Sequence, residues 1–219
     1  MGKIRGGNLI YGISRLWAAI WLFLIGIRHK NIFLNHPRAG AQYIFVANHI
    51  SFLDVPSLLM ATRQYSIRVL GKFEMKRVPV FGYIYQNGVV MVDRGSPENR
   101  ARSVQILKSV LGKGISIFIF PEGTFNETGN PLNTFFDGAF RIAIETQTPI
   151  KPLLFLDNYD RMNYKSIFSI NPGRSRTVFL EEISVEGLKM EDLEILKKKV
   201  YAAMEAMLSN YKVSWVPPY

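Results

Sequence analysis

The chain has 219 residues, 48% of them hydrophobic and 13% aromatic, which excludes a disordered polymer and is in the range of one globular domain. It contains no cysteine, so disulfides, thiolate zinc sites and a cysteine nucleophile are excluded. The net charge is +10 and uneven: residues 1–120 carry 16 Lys+Arg against 4 Asp+Glu, whereas residues 121–219 carry 11 against 13. Such a field attracts anionic partners such as anionic lipid, phosphorylated substrates or nucleic acid.

The most apolar stretch is Asn8–Ile27, flanked by Lys3 and Arg5 before it and by Arg28, His29 and Lys30 after it. Its length suits a helix that spans a bilayer, and Tyr11, Trp17 and Trp21 suit a headgroup interface. Arg15 interrupts the run and makes a clean span costly. A helix lying in one leaflet, with Arg15 snorkelling to the headgroups, accommodates that charge. A buried core helix is the third reading.

Apolar strand-type runs and helical segments then alternate. Strands are predicted at Tyr43–Ala47, Ile67–Leu70, Val89–Val92, Ile115–Phe120, Ile150–Leu156 and Thr177–Leu180. Helices are predicted over 54–62, over 97–111 behind a Ser96-Pro97-Glu98 start signal, at Gly138–Thr146, and over 190–210. In the last, Leu193, Leu196, Val200, Met204 and Met207 recur at helical spacing and form a core-facing stripe. The alternation predicts an α/β fold, a single mixed sheet flanked by helices.

The polar residues gather where strands end. Asn48-His49-Ile50-Ser51-Phe52-Leu53-Asp54 follows the first strand and opens a helix. At this spacing Asp54 can reach back to one imidazole nitrogen of His49, fix the tautomer and leave the other nitrogen as a base. Ser51 lacks the glycines of a nucleophile elbow and is read as a helix-capping hydroxyl. Phe120-Pro121-Glu122-Gly123-Thr124 follows another strand, with Gly123 permitting a tight turn and Glu122 placed at a strand end. Val92-Asp93-Arg94 puts a phosphate-suited guanidinium after a third strand, and Gly71-Lys72-Phe73-Glu74 a lysine after a fourth. Pro149 and Pro152, around Lys151, shape the backbone entering the Ile150 strand. With only three histidines, two of them near the apolar N-terminal stretch, no metal site is expected.

In this order, the NHISFLD, GKFEMKRVPVFG, GVVMVDR, FPEGT and TPIKP blocks resemble the glycerolipid acyltransferase family, nearest its bacterial lysophosphatidic acid acyltransferases, over roughly residues 43–156. The resemblance implies His49 as general base and Asp54 as its orienting acid. It implies that Lys72 and Arg94 bind the acceptor's phosphate, and that Glu122, Gly123 and Thr124 line the acceptor site. It further implies an acyl thioester donor on coenzyme A or acyl carrier protein, a lysophospholipid acceptor, no cofactor, and a site on the cytoplasmic face of the cell membrane. Residues 1–36 are then a membrane-associated segment and 37–219 the acyltransferase domain. Two positions depart from the family pattern: Phe125 stands where many members have a basic residue, and Phe136-Asp137 precede Gly138-Ala139-Phe140, with Arg141 able to compensate. Alternatives are transfer to another acceptor, such as a lyso-aminolipid or glycerol 3-phosphate, and a non-catalytic lipid-binding membrane protein. No zinc or helix-turn-helix pattern accompanies the basic residues, so nucleic acid is not an expected partner.

Overall fold

The computed structural model describes residues 3–38, 40–72, 88–92 and 97–216. Seven strands form one sheet: β1 (Ile27–Phe33), β2 (Ile44–Ala47), β3 (Ile67–Lys72), β4 (Val89–Val92), β5 (Ser116–Ile119), β6 (Ile150–Phe155) and β7 (Gly173–Phe179). Their order is β1-β7-β6-β2-β5-β3-β4. The five strands from β6 to β4 are parallel; β7 is antiparallel to β6, and β1 is parallel to β7. The helices are α1 (Lys3–Leu24), α2 (Asp54–Ala61), α3 (Pro97–Leu111), α4 (Gly138–Thr146), the one-turn α5 (Asn158–Arg161) and α6 (Leu193–Tyr211). A short 3-10 turn over Met190–Asp192 leads into α6.

The central strands are apolar on both faces because helices cover both, and their period of two sorts the core. Ile44, Val46, Ile117, Ile119, Leu154 and Val178 pack with α3, α4 and α6. Tyr43, Phe45, Ala47, Phe118, Phe155 and Phe179 point the other way, to α1 and α2. The face beneath α1 and α2 is therefore largely aromatic, with Phe45 in ring contact with Tyr43, Tyr65, Phe118 and Phe179.

Two predicted features change. The apolar run forms a helix that stops at Leu24, and Gly26, with φ of +71°, turns the chain into β1. Residues 27–33, grouped by sequence with the N-terminal segment, thus form an edge strand of the sheet. Arg15 does not snorkel: its guanidinium donates to the carbonyls of Thr62 (3.2 Å) and Tyr65 (2.6 Å), beyond the C-terminal end of α2. Tyr11, Ala18 and Leu22 are buried on the same side of the helix, and the Tyr11 hydroxyl accepts the Val69 amide at 2.8 Å. Leu9, Ile13, Leu16, Trp17, Ile20, Phe23 and Leu24 form the opposite, exposed stripe.

The chain leaves β2 through a side chain that extends the ladder. The Asn48 amide donates to the Phe155 carbonyl (3.0 Å) and accepts the Phe155 N–H (2.8 Å), continuing the β2–β6 pairing one residue past Ala47. Asn48→Ala would strand two buried backbone groups, at about 1–3 kcal/mol each before relaxation. Urea unfolding should show a loss of about 2–4 kcal/mol; a loss under half of that would mean that water or a shifted backbone takes over both bonds.

Candidate active site

Parallel strands bring their carboxyl ends to one edge of the sheet, and that is where the polar blocks lie. Because β2 and β5 are neighbours, the turn after β2, carrying His49, lies beside the turn after β5, carrying Glu122. The turns are tied together: the His49 amide donates to Glu122 Oε1 (2.8 Å), and the Asn126 amide to the His49 carbonyl (2.6 Å). Glu122 Oε2 accepts the Asn133 amide at 2.8 Å.

Asp54 sits at the first position of α2 and is fully buried. Its Oδ2 faces His49 Nδ1 at 2.9 Å and accepts the Ile50 (2.7 Å) and Ser51 (2.9 Å) amides. Its Oδ1 accepts a hydrogen bond from Asn158 Nδ2 at 2.8 Å. With Oδ2 already an acceptor from two amides, the proton on the histidine bond belongs to Nδ1, and Nε2 carries the free lone pair. The imidazole is 19% exposed. Phe120 stacks on it at a centroid distance of 4.0 Å and Phe125 leans on it at 4.3 Å. Phe125, where a basic residue was the family expectation, is thus an aromatic support for the ring; it also meets Phe52 and Tyr164. A histidine held this way can accept a proton through Nε2 in a setting that is apolar around the ring.

Ser51 was expected to cap α2, but the helix has no side-chain cap. Its buried hydroxyl instead closes the turn, accepting the amide of Leu53, the residue before the helix (2.8 Å), and donating to the Met162 carbonyl, so it is engaged and not poised as a nucleophile. Glu122 is 1% exposed and faces inward. Burial pushes its carboxyl up to about 8, against the pull of the Asn133 and His49 amides, with Asp54 adding to the rise. Gly123 takes φ of +69°, which explains the glycine, and Thr124 is exposed at the rim. Lys72 is the last residue of β3, one strand beyond β5, so its backbone reaches the same edge. Arg94, like Asp93 and residues 73–82 of the GKFEMKRVPVFG block, lies outside the described residues. Asp137 pairs with Lys197 at 2.7 Å, and Arg141 is exposed in the first turn of α4. His29 bonds to Asn31 and His36 stacks on Phe33, so neither joins His49.

Asn158 was not read from sequence. It is fully buried, and its Oδ1 accepts hydrogen bonds from Ser57 (3.3 Å) and Ser175 (2.7 Å) while Nδ2 holds Asp54. A single asparagine in a polar stretch carries no periodic signal, and two of its partners, Asp54 and Ser57, lie about 100 residues away in sequence.

The profile of the acyltransferase family matches residues 29–156, and the chain belongs to that family. It is 30% identical over 172 residues to a chloroplast 1-acyl-sn-glycerol-3-phosphate acyltransferase of Brassica napus, an alignment covering 78% of this chain and 49% of that protein. It is 28% identical over 204 residues to the mouse 1-acyl-sn-glycerol-3-phosphate acyltransferase alpha, covering 92% of this chain and 71% of the relative. The chain thus spans about half the length of the plant relative. The crystal structure of the 1-acyl-sn-glycerophosphate (LPA) acyltransferase PlsC from Thermotoga maritima superposes with a TM-score of 0.70 at 22% identity, covering 96% of this chain and 81% of that one, which establishes the shared fold.

The pKa of Glu122 makes a stability prediction. Folded, the carboxyl keeps its proton up to about 8; unfolded, it loses it near its ordinary 4.5. The native state therefore binds the extra proton between those values, and stability falls as pH rises through that window. Glu122→Gln should flatten the decline in unfolding free energy measured from pH 5 to 8. An unchanged slope in the variant would assign the decline to other groups.

Proposed function

We propose that this protein transfers a fatty acyl group from a thioester, on coenzyme A or acyl carrier protein, to the free hydroxyl of lysophosphatidic acid, giving phosphatidic acid. The observation that carries the reading is the His49–Asp54 pair at the mouth of the sheet edge, in a chain of the acyltransferase family. The acceptor hydroxyl donates to His49 Nε2; as its proton moves to the imidazole, the oxygen bonds to the thioester carbonyl carbon. Collapse of the tetrahedral intermediate breaks the C–S bond, and the imidazolium returns the proton to the departing thiolate. Asp54 stabilises the imidazolium and Asn158 holds Asp54.

The developing oxyanion needs a donor. In the turn, the amides of His49, Ile50, Ser51, Leu53 and Asp54 are bonded within the protein. Of the six amides from His49 to Asp54 this leaves that of Phe52 for the task. Glu122 acts by fixing the backbone of His49, while Gly123 and Thr124 line the acceptor side. Lys72 and Arg94 supply the phosphate contacts, and the ring set Phe52, Phe125 and Tyr164 receives apolar chain. The exposed stripe of α1 rests in one leaflet of the cytoplasmic face of the membrane. The inward turn of Arg15 supports this, because that stripe then carries no charge between Leu9 and Leu24.

Purified protein given an acyl thioester and a panel of lyso-lipids should form phosphatidic acid from lysophosphatidic acid, identified by mass. Product from a lyso-aminolipid alone would move the acceptor, and no product from any member would refute the reading. His49→Ala should lower the rate ~10²–10⁴-fold with folding intact, the usual contribution of a general base. Near-normal turnover in that variant would refute the mechanism.

Arg94→Ala should raise the KM for the acceptor by about one to two decades, the worth of a charge-assisted phosphate contact, with little change for the donor. Lys72→Ala should act in the same direction but less, because an ammonium offers a point charge and not a fork. Steady-state kinetics varying each substrate separately checks both; equal effects on donor and acceptor would remove the phosphate assignment.

A further inference from the structure

The loop over 163–171, between α5 and β7, has its polarity inverted. Three of its polar side chains, Asn163, Ser166 and Ser169, turn onto its own backbone. Ser169 Oγ accepts the Asn163 amide (3.1 Å) and donates to the Ser166 carbonyl (2.6 Å). Asn163 Oδ1 accepts the Lys165 amide (2.9 Å), and Ser166 Oγ the Phe168 amide (3.1 Å). The apolar side chains point to solvent: Phe168 is 86% exposed, Ile167 55% and Ile170 41%. A loop that meets only water gains nothing from this distribution, whereas one that meets hydrocarbon satisfies its backbone internally and presents its greasy side outward.

Its position names the occupant. At its far end the loop is stitched to the end of α1, where the Gly173 amide donates to the Gly26 carbonyl at 3.0 Å. At its near end Met162 packs with Leu22, Ile27 and Leu53. Phe23 and Leu24, 81% and 73% exposed, end the stripe of α1 on that corner. Arg28 and Arg174 are register partners on β1 and β7, both exposed, and Lys165 is exposed within the loop. Apolar side chains rimmed by cations match the surface of an anionic bilayer. The loop also starts at the site: the Met162 carbonyl takes the Ser51 hydroxyl, and Tyr164 stacks near Phe125, the ring that leans on His49.

We infer that the 163–171 loop is a second membrane-inserting element, which enters anionic bilayer through Ile167, Phe168 and Ile170 beside the end of α1 and sets the site mouth against the lipid. The inference rests on the membrane placement of α1 proposed above. Two anchor points hold the orientation of the domain on the membrane more firmly than the stripe of α1 alone.

The absence of cysteine makes the test direct. Phe168→Cys in the full chain takes one environment-sensitive dye, and Ile195→Cys, exposed on α6 across the sheet, serves as control. On vesicles of phosphatidylglycerol and phosphatidylcholine, the dye at 168 should shift to the blue and be quenched by acyl-chain-borne quenchers, while the dye at 195 stays as in water. Phe168→Asp should weaken vesicle partitioning by roughly ten-fold or more. It should slow acylation of a long-chain acceptor in vesicles and spare acylation of a short-chain lysophosphatidate in solution. A dye at 168 that stays in water on bound protein overturns the inference. So does a dimer in sedimentation that Phe168→Asp dissolves while vesicle binding is unaffected, which would make the loop a contact between copies. If the unsubstituted protein fails to acylate the short-chain acceptor, the functional reading falls, and the dye experiment still decides the loop.

Discussion

The site depends on one buried carboxylate. Asp54 has no exposed surface, and both its oxygens are engaged: Oδ2 by His49 and the Ile50 and Ser51 amides, Oδ1 by Asn158. A buried charge tolerates this setting only when it is fully paired and bonded. The same bonds that keep it there shape the turn after β2, because two of the donors are that turn's own amides. The histidine is therefore placed by the backbone as much as by its ring contact. Glu122 grips the turn from the neighbouring strand end, so β2 and β5 hold His49 between them. Asn158 connects the arrangement to β7 through Ser175, which ties the site to the antiparallel side of the sheet.

The exposed apolar stripe of α1 and the chemical features converge on one side of the sheet. The helices α1 and α2 cover the aromatic face, and α2 begins with Asp54. Arg15 ties the two helices together through the carbonyls that α2 leaves behind it. A charge that looked like a liability for membrane contact is thereby moved to the inner side, and the outer stripe of α1 remains apolar. The site is consequently carried on the same layer as the exposed apolar stripe of α1, which suits the proposal that acceptor and product are both lipids.

Most of the fold was legible in the chain because its central strands are short continuous apolar runs separated by helical spacing and turn residues. Ile44–Ala47, Val89–Val92 and Ile150–Phe155 announce themselves in that way. β1 does not, since IRHKNIF is an edge strand with polar residues at four of its seven positions and a partner some 140 residues away. The first half of β7, GRSR, is equally polar and was missed for the same reason. In the site, His49, Asp54 and Glu122 were readable because strand ends and local spacing place them. Asn158 and Phe125 were not, because their roles come from contacts that only the folded sheet creates. The direction of Arg15 was likewise undecidable until Thr62 and Tyr65 were in place to receive it.

Everything proposed for the site requires that Asp54 fix the histidine with its proton on Nδ1 and its lone pair on Nε2. Nitrogen-15 spectra of the ring report this directly, and with three histidines in the chain a His49→Gln sample assigns the signal. The expected spectrum has the His49 Nδ1 protonated and coupled to a downfield proton, and Asp54→Asn collapses that pattern to a tautomer mixture. A His49 ring protonated on Nε2, or one whose tautomer is unaltered by Asp54→Asn, would contradict it.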